Sequence, residues 1–284
     1  MKTILIPTDF SASADNAARY AVALAKGIQA NIKLCHAVMV PVEAPFAAGA
    51  SVPILALDAL EQEAKDKIKA LSAELSQQHP AVSYQTELGS IREMVRKIEK
   101  QGNICMAVMG MSGAGGLEKF LMGSSSREMV DATILPLLLV PSKARFQTPQ
   151  RIAFATDLNQ QDIGVLHVLA GMARHFNAAI SIIHVGEKAI DEQMDSQAKV
   201  TSFLNDISNK VNYHNIYYQY VKRDTIDEGL EWITKSGQVD ILAMVHHKHT
   251  LFQDLLQGSH THRLRKKTEI PLLVFPPDCC SRVL

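Results

Sequence analysis

Gly110-Met111-Ser112-Gly113, followed after nine further residues by Gly123-Ser124-Ser125-Ser126, is the segment of this chain whose residue types and spacing could do chemistry. Glycines leave backbone N–H groups uncovered, so that an anion can approach them without meeting a Cβ. Hydroxyls and free N–H groups at the start of a helix add donors, and the helix dipole favours negative charge there. Together these would hold a phosphate. Asp9, in Ile6-Pro7-Thr8-Asp9, offers a carboxylate that could accept from a ribose hydroxyl or an adenine amino group. The same glycine pair would also serve a tight strand-to-helix turn with no ligand, and spacing alone leaves both readings open.

The elements that must position these residues alternate between strand and helix signals. Ile4-Leu5-Ile6 is a short apolar run ending at Pro7, and Ser11 or Ser13 can cap a helix carrying Ala17, Ala18, Ala21, Leu24 and Ala25. A second strand spans 32–36. Leu57, Leu60, Ala64, Ile68, Leu71 and Leu75 recur at helical spacing, as do Ile91, Met94, Val95 and Ile98 after a third strand at 82–86. Residues 105–109 are nearly all apolar, as expected of a central parallel strand covered on both faces. A helix over 126–133 and a last strand over 137–140 follow.

The pattern then repeats. Thr8-Asp9 and Thr156-Asp157 are 148 positions apart, and His36 meets His184 at the same offset. Met109, Gly123-Ser124 and Pro136-Leu137-Leu138 meet Met244, Gly258-Ser259 and Pro271-Leu272-Leu273 at an offset of 135. A duplication whose second copy lost 13 residues between the His and the Met explains both offsets, and the Pro/Ala/Gly-rich stretch from Pro41 to Pro53 is the candidate for that length. Strands of the second copy are expected near 151–155, 180–185, 216–221, 240–245 and 272–275. Alternating strands and helices imply parallel pairing through right-handed crossovers, hence an α/β, doubly wound sheet in each copy with ligands at its carboxyl edge. The expected domains are 1–143 and 149–284, joined by a polar linker.

The ungapped pattern Gly110-x2-Gly113-x9-Gly123-Ser124 resembles the ATP-binding signature of the universal stress protein family. The opening Ile4-Leu5-Ile6-Pro7-Thr8-Asp9-Phe10-Ser11, the strand Met106-Ala107-Val108-Met109-Gly110 and the closing Pro136-Leu137-Leu138-Leu139-Val140-Pro141 are similar to that family too, and the likeness covers both copies. The resemblance implies two tandem Rossmann-like domains of the adenine nucleotide alpha hydrolase-like type, each with five parallel strands, forming an intramolecular pseudo-dimer. It implies a binding and regulatory protein for ATP, with AMP or ADP as alternatives and Mg2+ as the accompanying metal. Asp9 and Ala37 would flank adenine and ribose, Gly110, Gly113, Gly123, Ser124 and Ser125 would hold the phosphates, and Pro7, Thr8 and Met109 would belong to the same nucleotide site. A homodimer of the tandem chain is a further expectation.

The second copy departs from the pattern. Val245 and Lys248 stand where Gly110 and Gly113 stand, and only Gly258-Ser259 and Asp157 survive. Cβ-bearing residues obstruct the backbone approach, so nucleotide is expected in the first copy alone. Five of the eleven histidines, His246, His247, His249, His260 and His262, crowd the same segment of copy two, but their spacing matches no zinc pattern and reads as a polar loop. His36 and His184 end the second strands and read as structural or edge-lining.

Other classes are disfavoured. The chain has 284 residues, and 29 basic residues balance 29 acidic ones, so no basic face invites nucleic acid. The tyrosines at 213, 217, 218 and 220 and Trp232 are not interleaved with basic residues as a base-stacking platform would be. No run of eighteen apolar residues exists, and the amino terminus does not read as a signal peptide, which points to the cytoplasm. Cys35 and Cys105 read as buried thiols. No Gly-x-Ser-x-Gly elbow appears. A weak ATPase or phosphoryl-transfer enzyme is the alternative, with Glu118 and Lys119 as the nearby candidates; a module binding an apolar ligand or protein partner through residues 40–57 is another.

Overall fold

The structure is a computed structural model that describes residues 2–39, 54–111, 124–186, 194–235, 238–246 and 270–276. The insertion expected at 41–53 and most of the histidine-rich segment lie outside the described residues.

Copy one runs β1 (Thr3–Pro7), α1 (Ala12–Ile28), β2 (Asn31–Val38), α2 (Ile54–Ser76), β3 (Val82–Leu88), α3 (Ile91–Lys100), β4 (Ile104–Gly110), α4 (Ser124–Ala132) and β5 (Leu137–Val140). Copy two runs β6 (Arg151–Ala155), α5 (Asp162–Phe176), β7 (Ala179–Gly186), α6 (Met194–Lys210), β8 (Ile216–Lys222), α7 (Ile226–Lys235), β9 (Ile241–Val245) and β10 (Leu272–Phe275). Ser11 rather than Ser13 caps α1: its Oγ accepts the Ala14 N–H, while Ser13 lies inside the helix. Ser90 and Glu93 form a capping box on α3. Helix α4 begins two residues earlier than the apolar pattern indicates, and β9 begins after Asp240. Cys35 is buried as expected; Cys105 is only partly so.

The repeat extends to individual backbone angles. Phe10 and Leu158 both turn through left-handed φ, 60° and 63°, and so do the helix-ending Gln29 and Asn177, 55° and 54°. Each pair is 148 positions apart, so the duplication preserves the two turns that set the entry and exit of the first helix.

All described strands form one ten-stranded sheet in the order β3-β2-β1-β4-β5-β10-β9-β6-β7-β8. Within each half the pairing is parallel; β5 and β10 meet antiparallel. Leu138 faces Leu273, its own repeat partner, with Leu139 on Leu272 and Leu137 on Val274. An approximate two-fold axis therefore passes through that pair, and two edges that would template aggregation cover each other. The halves also meet through helices: Gly27 of α1 lies so close to Phe176 of α5 that a Cβ there would be 2.1 Å from the ring. Two buried layers result. One, between the sheet and α1, α2, α5 and α6, contains Ile6, Leu24, Phe154 and Phe203; the other, under α3, α4 and α7, contains Leu5, Val95, Met129 and Leu230.

The connection between halves is fastened from both sides. Asn16 Nδ2 donates to the carbonyls of Pro141 and Ala144, both at 3.0 Å. Asp240 Oδ2 accepts the Gln150 and Arg151 N–H groups at 2.7 and 2.8 Å. That gives Asp240 a structural task that the sequence did not disclose.

Candidate functional site

Strand order reverses between β1 and β4, whose chains leave the sheet in opposite directions: β1 continues to β2 and β4 to β5. Open α/β sheets bind ligands in the crevice at the carboxyl end of such a switch point. In copy one, Pro7, Thr8 and Asp9 leave β1 there, and Met109 and Gly110 end β4 beside it.

The loop after β1 is held by its own side chains. Thr8 is buried; its N–H reaches the Cys35 carbonyl at 2.9 Å and its Oγ1 accepts the Phe10 N–H at 3.0 Å. The latter contact bends the chain into the left-handed turn at Phe10. Asp9 is exposed, and its Oδ1 accepts the Ser11 N–H at 3.0 Å, one residue before α1. His36 Nδ1 lies 2.7 Å from the Thr8 carbonyl, and because a carbonyl only accepts, that nitrogen carries the proton. The His36 ring sits against Phe10, centroids 4.5 Å apart. His36 thus shapes the loop, as its reading as a structural residue anticipated. Ala37 is half-buried next to it on β2.

Gly110 has a packing reason of its own. A Cβ there would lie 2.4 Å from Ser13 Oγ and 2.8 Å from the Ser13 carbonyl oxygen, so only glycine lets the first turn of α1 come this near β4. The Ser13 hydroxyl is buried and finds no hydrogen-bond partner among the described residues. Ser126, a residue outside the expected site, donates its Oγ to the Gly110 carbonyl at 2.9 Å and ties the first turn of α4 to the end of β4. Ser124 and Ser125 open that helix, and Ser125 is exposed. Gly113 and Gly123 lie outside the described residues. The first turns of α1 and α4, with the ends of β1 and β4, therefore converge on one crevice. Burial pushes the half-buried Asp15 carboxyl on α1 above the usual range; Arg19 opposes the shift, and Glu74 and Asp9 add to it. Negative charge already gathers on this side of α1.

The equivalent crevice of copy two, between β6 and β9, is built differently. Thr156 Oγ1 accepts the Leu158 N–H at 2.8 Å, as Thr8 does for Phe10, but also donates to Asp162 Oδ2 at 2.6 Å. Asp162 is buried where copy one has Ala14. Helix α5 begins at Asp162, whereas the repeat partner of the first α1 residue is Gln160. Val245 occupies the Gly110 position, and α5 starts two residues later than the repeat places it. Lys199 Nζ reaches the Asp157 carbonyl at 2.5 Å. Burial, then the charge of Lys199, holds the His184 ring below the usual imidazole range, with Asp157 opposing.

His246, in the place of Met111, is buried, with Nε2 3.5 Å from Asp131 Oδ1 on α4 of the other half. The other four clustered histidines and Lys248 lie outside the described residues. Among the described residues no group of three or more His, Cys, Asp or Glu side chains is placed to hold a metal ion, and no helix is long and apolar enough to cross a membrane.

Known proteins share this architecture. The sequence profile of the Universal stress protein family matches residues 1–141 and again 149–276. Universal stress protein Slr1230 of Synechocystis sp. is 23% identical over 294 residues, covering 97% of this chain and all of the relative. Among solved structures, a universal stress protein from Archaeoglobus fulgidus superposes with a TM-score of 0.72 at 15% identity, covering 97% of this chain and 98% of its own. A putative universal stress protein from Pseudomonas aeruginosa gives 0.56 at 14% identity, covering 100% and 96%. With the profile matched twice, over nearly the whole length and on both halves of the sheet, this chain belongs to the universal stress protein family.

Proposed function

We propose that this chain is an ATP-binding regulatory protein that takes one nucleotide, in domain 1 (1–143), while domain 2 (149–284) carries a degenerate site. The observation that carries the reading is the junction of the Thr8-Asp9 turn, the end of β4 at Gly110 and the first turn of α4 in one switch-point crevice, Gly110 and Ser124 being the two ends of the sequence motif Gly110-x2-Gly113-x9-Gly123-Ser124. In this reading Asp9 and Ala37 flank adenine and ribose, Gly110, Gly113, Gly123, Ser124 and Ser125 hold the phosphates, and Pro7, Thr8 and Met109 complete the nucleotide site. A divalent cation such as Mg2+ accompanies the nucleotide and offsets the negative charge gathered by Asp9, Asp15 and Glu74. Occupancy at the start of α4 would shift the conformation or pairing of the protein, which suits a sensor.

Support for asymmetry comes from what replaces the glycines. Val245 and Lys248 lose the close backbone approach, and Lys248 returns only a point charge. Losing two or three charge-assisted hydrogen bonds, at roughly 1.5–3 kcal/mol each, weakens binding by at least about a hundredfold. Calorimetric titration of the full chain with ATP and Mg2+ tests the proposal. The expected stoichiometry is one, with Gly113→Val abolishing the signal at an unchanged melting temperature. Two sites per chain, or unchanged affinity in Gly113→Val, would overturn it.

A further inference from the structure

The two halves meet through α1 and α5 as well as through the seam, and the helix contact is not symmetric. On one side of the two-fold axis three aromatic rings fill the space between the halves. Tyr20 is buried, with its ring edge-on to Phe146 at 5.1 Å. Phe176 lies against Gly27. Burial, with the Asp240 carboxylate near, pushes the Tyr20 hydroxyl up, so the phenol stays neutral.

On the other side the repeat partners are smaller. Val168 stands for Tyr20, Ile28 for Phe176 and Cys105 for Asp240. A cleft of about 60 Å3 opens there, bordered by Ile28, Cys105, Met106, Val168, Gly171 and Phe275. A Cβ added at Gly171 would meet no atom within 4 Å. We propose that this interdomain cleft, distinct from the switch-point crevices, binds one uncharged aromatic ring, a phenol-sized ligand standing where the other half places the Tyr20 side chain.

Size and chemistry both favour that occupant. One water needs at least ~10–15 Å3 on this measure, so the cleft takes about four, which in the liquid occupy roughly 120 Å3, the bulk of a single six-membered ring. The walls are mainly carbon and sulfur. Cys105 Sγ already donates to the Thr3 carbonyl at 3.4 Å, and burial pushes its thiol up, so it offers a neutral polarizable sulfur. Met106 and Met172 add two thioethers at the same cleft. Sulfur beside a ring edge is a favourable contact. Lys2 and His175 also border the cleft, but both are exposed, so a charge buried against the carbon and sulfur within would cost free energy.

Phenol is the probe. Titrated into the full-length protein and followed by ligand-observed NMR and by melting temperature, it is expected to bind saturably at about millimolar concentration, near −4 kcal/mol. Val168→Tyr, which copies the filled side, is expected to lower the affinity at least tenfold. Gly171→Leu, whose side chain enters open space, does the same and serves if Val168→Tyr fails to fold. Saturating ATP leaves phenol binding unchanged, because the two ligands occupy different places. The proposal is overturned by an absence of saturable binding, by wild-type affinity in the folded filling variants, or by displacement of phenol with ATP. A failure of ATP binding alone leaves this cleft untouched and counts only against the switch-point reading.

Discussion

Replacing Gly110 by alanine adds one methyl group to a place where the structure has no room for it. The new Cβ would stand 2.4 Å from Ser13 Oγ, 2.8 Å from the Ser13 carbonyl oxygen and 2.9 Å from its carbonyl carbon. Two of those three atoms are backbone of the first turn of α1, so rotating a side chain cannot clear them. The helix start must move off β4, which loosens the contact of α1 with the sheet. Overpacking of this kind costs about 1–3 kcal/mol. At ~2–4 °C of melting temperature per kcal/mol, Gly110→Ala should melt roughly 2–12 °C below the parent. Ser13→Ala by itself should cost little, since the hydroxyl it deletes is buried without a hydrogen-bond partner among the described residues. In the Gly110→Ala background it should recover only part of the loss, because the carbonyl contact remains. Thermal and urea melts of the two single variants and the double variant give the coupling directly. A Gly110→Ala protein that melts within a degree of the parent would refute the close-approach argument. The same argument makes Gly110 an ambiguous probe of ligand binding, since its substitution disturbs the scaffold as well as the crevice.

Further outcomes follow from other positions. Gly171→Ala, mid-helix and with open space around its Cβ, should stabilise the chain by about 1 kcal/mol in a urea melt. Asp240→Ala removes the acceptor of two backbone N–H groups at the start of β6 and should cost roughly 1.5–3 kcal/mol by the same measurement. The His184 pKa is lowered on folding from an ordinary 6.5, so the unfolded chain takes up its proton first as the pH falls. Its contribution to stability is therefore full above about pH 6.5 and shrinks from there down to the folded pKa. The urea midpoint should drop more between pH 8 and pH 5 in the parent than in His184→Asn; equal drops would contradict the shift.

Periodicity revealed the strands and most helices because burial is written into it: among the described residues, Ala64, Ile68 and Leu75 of α2 and Met94, Val95 and Ile98 of α3 are the buried apolar ones. The repeat offsets gave the symmetry, and the match of Leu138 with Leu273 follows from it once the seam is known. The family resemblance implied the pseudo-dimer, but the residues alone left its seam open, since apolar closing strands suit either strand pairing or helix packing, and the structure uses both. The role of Gly110 was half legible. Sequence spacing suggested a ligand or a turn, whereas the approach of Ser13 depends on where α1 sits in space. Nor could the sequence show that α5 starts late in the copy that carries Val245, since the two positions lie 83 residues apart. Ser126 shows the same limit: one serine among three in a row, distinguished only by the carbonyl it reaches.

The antiparallel seam has a mechanical consequence. It turns the two parallel halves head to tail, so that β4 and β9, three strand spacings apart, release their chains at opposite edges of the sheet. The two crevices are therefore separated by roughly 20 Å along a diagonal, from strand spacing and strand length. No single small molecule spans both, and a flat partner surface meets one at a time. One element does reach from edge to edge. Helix α4 starts at the copy-one crevice, anchored by Ser126 to Gly110, and near its other end Asp131 stands beside His246 at the copy-two crevice. Nine residues of helix make a rod of about 13 Å. The tie to Gly110 and the approach to the buried His246 imidazole thus sit on one short helix, with no loop between them.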